Sequence, residues 1–246
     1  MLTMYDCEEH MLELHLREMA SVDVVLVGES KYSNANTPRE QCFPQDYRAV
    51  RNNLTYFYNT EQVKDFNYWE AEVHHRDRLG EHLCALTAAQ AMEEDDLVII
   101  SDMDEILSAA FLDVLRHYDG WGDGLRGSLR WSYYGFQWVN PHLTSLNLAV
   151  TWRRFREHGC KANAIRLNLM EASQYRVVEG VVGWHCSWCF PTSQFPQKLR
   201  HSAHVELATE RNLDMAYLTS MREQGLWLGT GEPNGCLGSP EDLPLA

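Results

Sequence analysis

Asp96-Leu97-Val98-Ile99-Ile100-Ser101-Asp102-Met103-Asp104-Glu105-Ile106 is the stretch that decides how this chain is read. Leu97 to Ile100 are four apolar residues in succession, three of them β-branched, which predicts a strand buried on both faces. The run then ends in three carboxylates, Asp102, Asp104 and Glu105. In an open α/β sheet, ligands bind beyond the carboxyl ends of the strands, so an Asp-x-Asp there is placed to hold a hard divalent cation. A second reading is equally open: Asp102 or Asp104 caps the helix expected over Ser108 to His117.

Working outward, the same plan recurs. Val22 to Val27 is another β-branched run ending in an acid, Gly28-Glu29-Ser30. Residues Thr3 to Cys7 suggest a short first strand, and Met11, Leu12, His15, Leu16 and Met19 share one face at helical spacing. Asn34 to Asn53 has no periodicity and reads as a long loop able to cover a site. Tyr68 to Met92 is helical in pattern and leads into the opening strand, while Gly127 to Trp138 is aromatic-dense and strand-like. Pro141 to Val178 gives no clear pattern, and a further helix is expected around Pro196 to Met221. Strands alternating with helices predict an α/β fold in one domain over residues 1–228, followed by a Gly/Pro-rich tail at 229–246.

The totals narrow the function. With 246 residues and 45% hydrophobic content the chain can bury a substantial core. A net charge of −14 argues against a nucleic-acid partner, so any bound anion must be held by a metal, a few basic side chains or backbone amides. No run approaches the roughly 20 apolar residues of a membrane span, and the N-terminus lacks a signal-peptide plan. Seven irregularly spaced cysteines do not resemble a disulfide framework. A soluble protein of a reducing, cytoplasmic compartment is the expectation.

Gly183-Trp184-His185-Cys186-Ser187-Trp188-Cys189-Phe190 is the second informative stretch. Cys186-x-x-Cys189 invites a zinc or thiol-redox reading, but no second ligand pair is spaced for zinc, and Pro191 breaks the helix a thioredoxin-like motif would start. His185 is suited to be a third ligand beside two carboxylates, and Trp184 and Trp188 to form a sugar platform or simply core. Arg76 has the planar fork that fits a diphosphate. His201, His204 and Glu206 form a polar cluster that reads as helix surface ahead of an acid/base group.

These segments resemble glycosyltransferase family 17. The resemblance is carried by Met11 to Glu18, Val27-Gly28-Glu29-Ser30, Val98 to Ile106, Tyr118-Asp119-Gly120-Trp121, Ser132 to Phe136 and Gly183 to Phe190, in the family's order from about residue 3 to about residue 230. It implies a GT-A type fold with a Rossmann-like open mixed sheet flanked by helices. It further implies a nucleotide-sugar donor, UDP-GlcNAc foremost, a glycan acceptor, and Mn²⁺ or Mg²⁺ held by Asp102, Asp104 and His185. Glu29, Arg76, Asp77 and Asp102 are then donor contacts, and Lys198, His204 and Glu206 match a downstream family segment. Glu206 is the expected general base, with Glu105, Glu171 and Glu179 as alternatives. Glu8 matches the family's opening segment, whereas His10 stands where the family has Asp. Animal members carry a membrane anchor and stem that this chain does not show. A GT-A protein that binds nucleotide sugar or glycan without catalysis, and a Cys-x-x-Cys oxidoreductase, are the competing classes.

Overall fold

A computed structural model describes residues 1–44, 46–47, 51–64, 67–87, 92–167, 174–229 and 231. The elements run β1 (Leu2–Met4), α1 (Glu9–Glu18), β2 (Val25–Ser30), β3 (Leu54–Asn59), α2 (Tyr68–Thr87), β4 (Leu97–Asp102) and β5 (Glu105–Leu107). They continue with α3 (Ala109–His117), β6 (Gly124–Tyr133), β7 (Val139–Thr151), α4 (Trp152–Glu157), α5 (Ala162–Arg166), β8 (Arg176–Ser187), α6 (Phe195–His201) and α7 (Met215–Gln224). One eight-stranded mixed sheet has the order β3-β2-β1-β4-β7-β6-β8-β5. The expected α/β class and open mixed sheet with flanking helices are present.

The apolar runs are buried from Val25 and Val98 onward; the strand expected from Val22 begins three residues later, because Asp23 and Val24 are exposed. Every residue of β2 is buried, as are Val98 to Ser101 of β4, and both strands pair in parallel with β1. Helices cover both faces of this parallel part. Met11, Leu12 and Leu16 of α1 pack with Val25, Val27 and Ile99 on one side, and Leu79 and Leu83 of α2 pack with Leu26, Val98 and Ile100 on the other. A third cluster, rich in aromatics, joins Tyr133 and Tyr134 to Phe190, Phe195, Leu199, Leu218, Met221 and Leu228.

Two expectations are corrected and one illegible interval is filled. The single helix expected around Pro196 to Met221 is two, α6 and α7, because Ser202 is extended and Asp214 caps α7 by accepting from the Tyr217 N–H at 2.8 Å. The illegible interval holds β7, whose outer half is exposed and polar and so lacks an alternating signature. Cysteines 7 and 42, 84 and 160, and 186 and 189 are joined as disulfides, leaving Cys236 outside the described residues. Their partners lie up to 76 positions apart, brought together only by the fold. Most of the 229–246 tail also lies outside the described residues, as does Glu171.

Candidate active site

The parallel register sets Met4 beside Gly28 and Asp102, so the chain leaves β1, β2 and β4 at one edge of the sheet. Met103 is buried, with its sulfur 3.4 Å from His15 Nδ1, and this anchors the turn between Asp102 and Asp104. Neither aspartate caps α3: Ser108 does, accepting from the Phe111 N–H at 3.2 Å.

After Asp104 the chain becomes β5 and pairs antiparallel with β8, Glu105 opposite His185. The Cys186 N–H donates to the Asp104 carbonyl at 2.8 Å. Gly183 is required here, since any side chain on it would run into the Ile106 carbonyl. The pairing leaves Asp104 Oδ2 3.6 Å from His185 Nε2. Burial opposes the charged imidazole, but Asp104, then Glu105 and Asp102, outweigh it and raise its pKa to about 9. Ser187 Oγ lies 3.2 Å from the same nitrogen and accepts from the Trp131 indole at 3.0 Å. Trp131 stacks on the His185 ring, centroids 5.7 Å apart.

Asp102 faces guanidinium groups. Arg76 of α2 donates to both its oxygens, at 3.1 and 2.6 Å, and Arg166 at the end of α5 lies 3.5 Å from Oδ2. Burial alone would raise the Asp102 pKa, but Arg76 and Arg166 hold it well below the usual carboxylate range. Arg166 also forms a fork with Glu105, both contacts 2.6 Å, and Glu105 accepts the Asp102 N–H at 2.9 Å. Lys198 of α6 pairs with buried Glu8 at 2.5 Å. All these groups except Glu8 line one cleft of about 770 Å³, which continues inward to a smaller pocket lined by Glu8, Tyr5, Asn34, Arg39 and His75.

Of the residues anticipated from sequence, Arg76, Asp102, Asp104, His185, Trp188 and Glu206 come together in this cleft. Glu29, Asp77, Trp184 and Glu179 do not line it, nor do Glu8 and His201. Glu29 is fully buried and its carboxylate accepts from the Cys42 and Phe43 N–H groups and the Tyr56 hydroxyl, at 2.8, 3.1 and 2.6 Å, fastening the loop after β2. Asp77 accepts the Asn163 N–H at 3.0 Å and is absent from the cleft lining. Trp184 turns into the core because side chains alternate along β8, which sends His185 and Ser187 to the cleft. Glu179 lies on the exposed outer part of β8, and Glu105 lines the cleft only as the buried partner of Arg166. Arg166, Trp131, Tyr133 and Trp227 line the cleft without having been singled out. Arg166 sits in a five-residue helix that no periodicity reveals.

Cys7, Glu29 and Cys42 also lie close together, but the two sulfurs are bonded to each other, so this group offers no thiolate to a metal. Cys186 and Cys189 are likewise paired, and Cys186, the first cysteine of the motif, is fully buried, whereas an attacking thiol needs access to its substrate.

Acids, a histidine and paired guanidiniums gathered in a cleft at the carboxyl ends of parallel strands mark a ligand-binding α/β enzyme. The chain belongs to glycosyltransferase family 17, whose profile matches residues 2–224. It is similar to the beta-1,4-mannosyl-glycoprotein 4-beta-N-acetylglucosaminyltransferases of Rattus norvegicus and Homo sapiens, each 24% identical over 258 residues. Each match takes in 89% of this chain and 46% of the relative, so the chain spans about half the length of the relatives it matches. Among solved structures, a 4-diphosphocytidyl-2C-methyl-D-erythritol synthase is 14% identical with a TM-score of 0.41, covering 73% of this chain and 87% of that one. Residues 1–349 of S. aureus TarS are 13% identical with a TM-score of 0.39, covering 90% of this chain and 68% of that one. Both likenesses are distant.

The expected cytoplasmic address is overturned. Six of the seven cysteines are paired, and disulfides persist in oxidising compartments; the relatives, by name, act on a glycoprotein. Among the described residues no helix is long and apolar enough to cross a membrane.

Proposed function

We propose that this chain transfers N-acetylglucosamine from UDP-GlcNAc to a hydroxyl of a mannose-containing glycan, with inversion and with Mn²⁺ or Mg²⁺ as cofactor. The observation that carries the reading is the hand-off from β4 to β5, which sets the Asp104 carboxylate beside His185 in the same cleft as Arg76, Arg166 and Lys198. The names of the relatives support the donor sugar and the mannosyl acceptor.

The residues fit a divalent cation. Asp104 offers a carboxylate oxygen and His185 an imidazole nitrogen 3.6 Å apart, donor types and a spacing that would let the two hold one divalent ion. Asp102 stands beside them, but its oxygens are engaged by Arg76, so its larger part is to aim that guanidinium. When bound, the cation supplies positive charge to the leaving diphosphate. Arg76, Arg166 and Lys198 add fixed positive charge to the same half of the cleft, which the −14 net charge would otherwise make repulsive to the donor.

Glu206 is exposed at the cleft and hydrogen-bonded to His204 at 2.8 Å, with its pKa held low mainly by that bond. In this reading it takes the proton of the acceptor hydroxyl as the new C–O bond forms on the face of the anomeric carbon opposite the diphosphate. The bond to the diphosphate breaks, and UDP leaves with the electron pair.

Thermal unfolding with UDP-GlcNAc tests the reading, because a ligand of the folded state raises the midpoint by mass action. The midpoint should rise with UDP-GlcNAc and Mn²⁺ together, and Asp104→Ala should remove the manganese-dependent part. An equal shift without metal, or in Asp104→Ala, counts against metal dependence.

A further inference from the structure

The cleft has two chemically different halves. Arg76, Asp102, Asp104, Arg166 and Lys198 make one charged half; Trp131, Tyr133, Trp188 and Trp227 line the other. Core formation does not account for all of these rings, because Trp131, Trp188 and Trp227 are only half-buried.

Trp227 is the most deliberately placed of them. It follows α7 in a short strap that crosses to the cleft, and three side chains fasten the backbone of that strap. The Tyr134 hydroxyl donates to the Leu226 carbonyl at 2.7 Å, the Tyr217 hydroxyl to the Leu228 carbonyl at 2.9 Å, and Arg211 Nη2 to the Gly229 carbonyl at 2.6 Å. Leu228 is fully buried beneath the strap. Gly229 leaves room for the indole: a Cβ there would lie 2.7 Å from Trp227 Nε1. The ring is therefore fixed before any ligand arrives, 5.6 Å centre to centre from Tyr133, which is itself 5.1 Å from Trp131.

We propose that Trp227 is an acceptor-binding and specificity-determining residue, forming with Trp131, and backed by the buried Tyr133, an aromatic wall on which a pyranose ring of the acceptor glycan stacks. The proposal rests on the glycosyltransferase reading of the same cleft. A pyranose presents a face of C–H groups that an indole or phenol face covers well, while its hydroxyls stay at the rim for polar groups and water. The wall begins at Trp131, which stacks on His185, so it adjoins the half that holds the donor. An acceptor laid along it would present its reacting hydroxyl to the donor.

Binding is read on immobilised oligosaccharides of β-linked mannose, N-acetylglucosamine and galactose, without donor, for the wild type, Trp227→Ala and Trp227→Phe. Thermal shift with UDP-GlcNAc and Mn²⁺ is measured on the same proteins. The wild type should hold at least one oligosaccharide class, Trp227→Ala should weaken it about tenfold or more, and Trp227→Phe should recover most of the loss, as removal and restoration of one stacked ring requires. Unchanged glycan affinity in Trp227→Ala overturns the proposal, as does a wild type that binds none of the sugars while showing a normal donor shift. A missing donor shift with intact, Trp227-dependent glycan binding instead overturns the donor reading and leaves Trp227 as a glycan contact.

Discussion

Arg166→Met should be among the most damaging single substitutions in the cleft, and the reason is Glu105. That carboxylate is 3% exposed and takes both its strong contacts, each 2.6 Å, from the Arg166 fork; Arg166 is itself only 14% exposed. Removing the guanidinium leaves a buried carboxylate whose remaining hydrogen bond among the described residues is the Asp102 N–H at 2.9 Å. Breaking one side of a buried pair costs about 3–5 kcal/mol, against roughly 0–1 kcal/mol for a surface pair. Part of that loss belongs to the turn, since the Glu105 oxygen that Arg166 steadies also holds the Asp102 backbone. Urea unfolding followed by circular dichroism at neutral pH gives the number. The double variant Arg166→Met, Glu105→Gln should recover about half or more of the loss, because the uncompensated charge is gone. A cost below about 1 kcal/mol for the single variant, or no recovery in the double, would refute the reasoning.

Three other outcomes follow from the same structure. Glu206→Gln should lower kcat by about 10²- to 10⁴-fold with donor binding intact if this carboxylate takes the acceptor proton; unchanged turnover would move the role elsewhere. Titration of the denatured, unreduced protein should find one free thiol of the seven, and reduction should lower the thermal midpoint, since the bridges across 35 and 76 positions are each worth about 2–4 kcal/mol; seven thiols before reduction would contradict the pairing. His15 and His75 are kept neutral by burial, with pKa values lowered to about 4 and about 3. The unfolded chain binds their protons first, so their contribution is complete above about pH 6.5 and is lost as pH falls towards those values, by up to roughly 2 kcal/mol each between pH 7 and 5. Denaturant midpoints that stay flat over that interval would show that the two rings are not buried in the neutral form.

The sequence was informative wherever burial on both faces removes ambiguity. Val22 to Val27 and Leu97 to Ile100 read as strands because short β-branched runs suit a sheet covered on both faces, although the first strand starts only at Val25, and the acids that follow lie at the carboxyl ends of the strands. The Gly183 to Phe190 string was legible as important but not as to which side chains share a space. His185 and Trp184 are neighbours in sequence and opposites in the strand. Arg166, Trp131 and Trp227 reach the cleft from elements far apart in the chain, and their types alone give no signal. The same holds for the cysteines: irregular spacing argues against a framework only in a small loop-rich chain, whereas here strands and helices carry the partners together. Glu29 misled for a related reason, since an acid at a strand end serves equally well to fasten the loop that follows.

The curl of the sheet is what converts these separate strands into a site. β4 stands fourth in the sheet order and β5 eighth, so in a flat sheet they would lie about 19 Å apart at roughly 4.8 Å per strand. Yet only Met103 and Asp104 separate the end of β4 at Asp102 from the start of β5 at Glu105, a span that cannot exceed about 11 Å. The half made of β7, β6, β8 and β5 must therefore fold back over the carboxyl ends of the parallel half. That return brings β8, with His185, and the ends of β6, with Trp131 and Tyr133, over the aspartates. Charged and aromatic side chains thus share one cleft because the connection between two strands is two residues long.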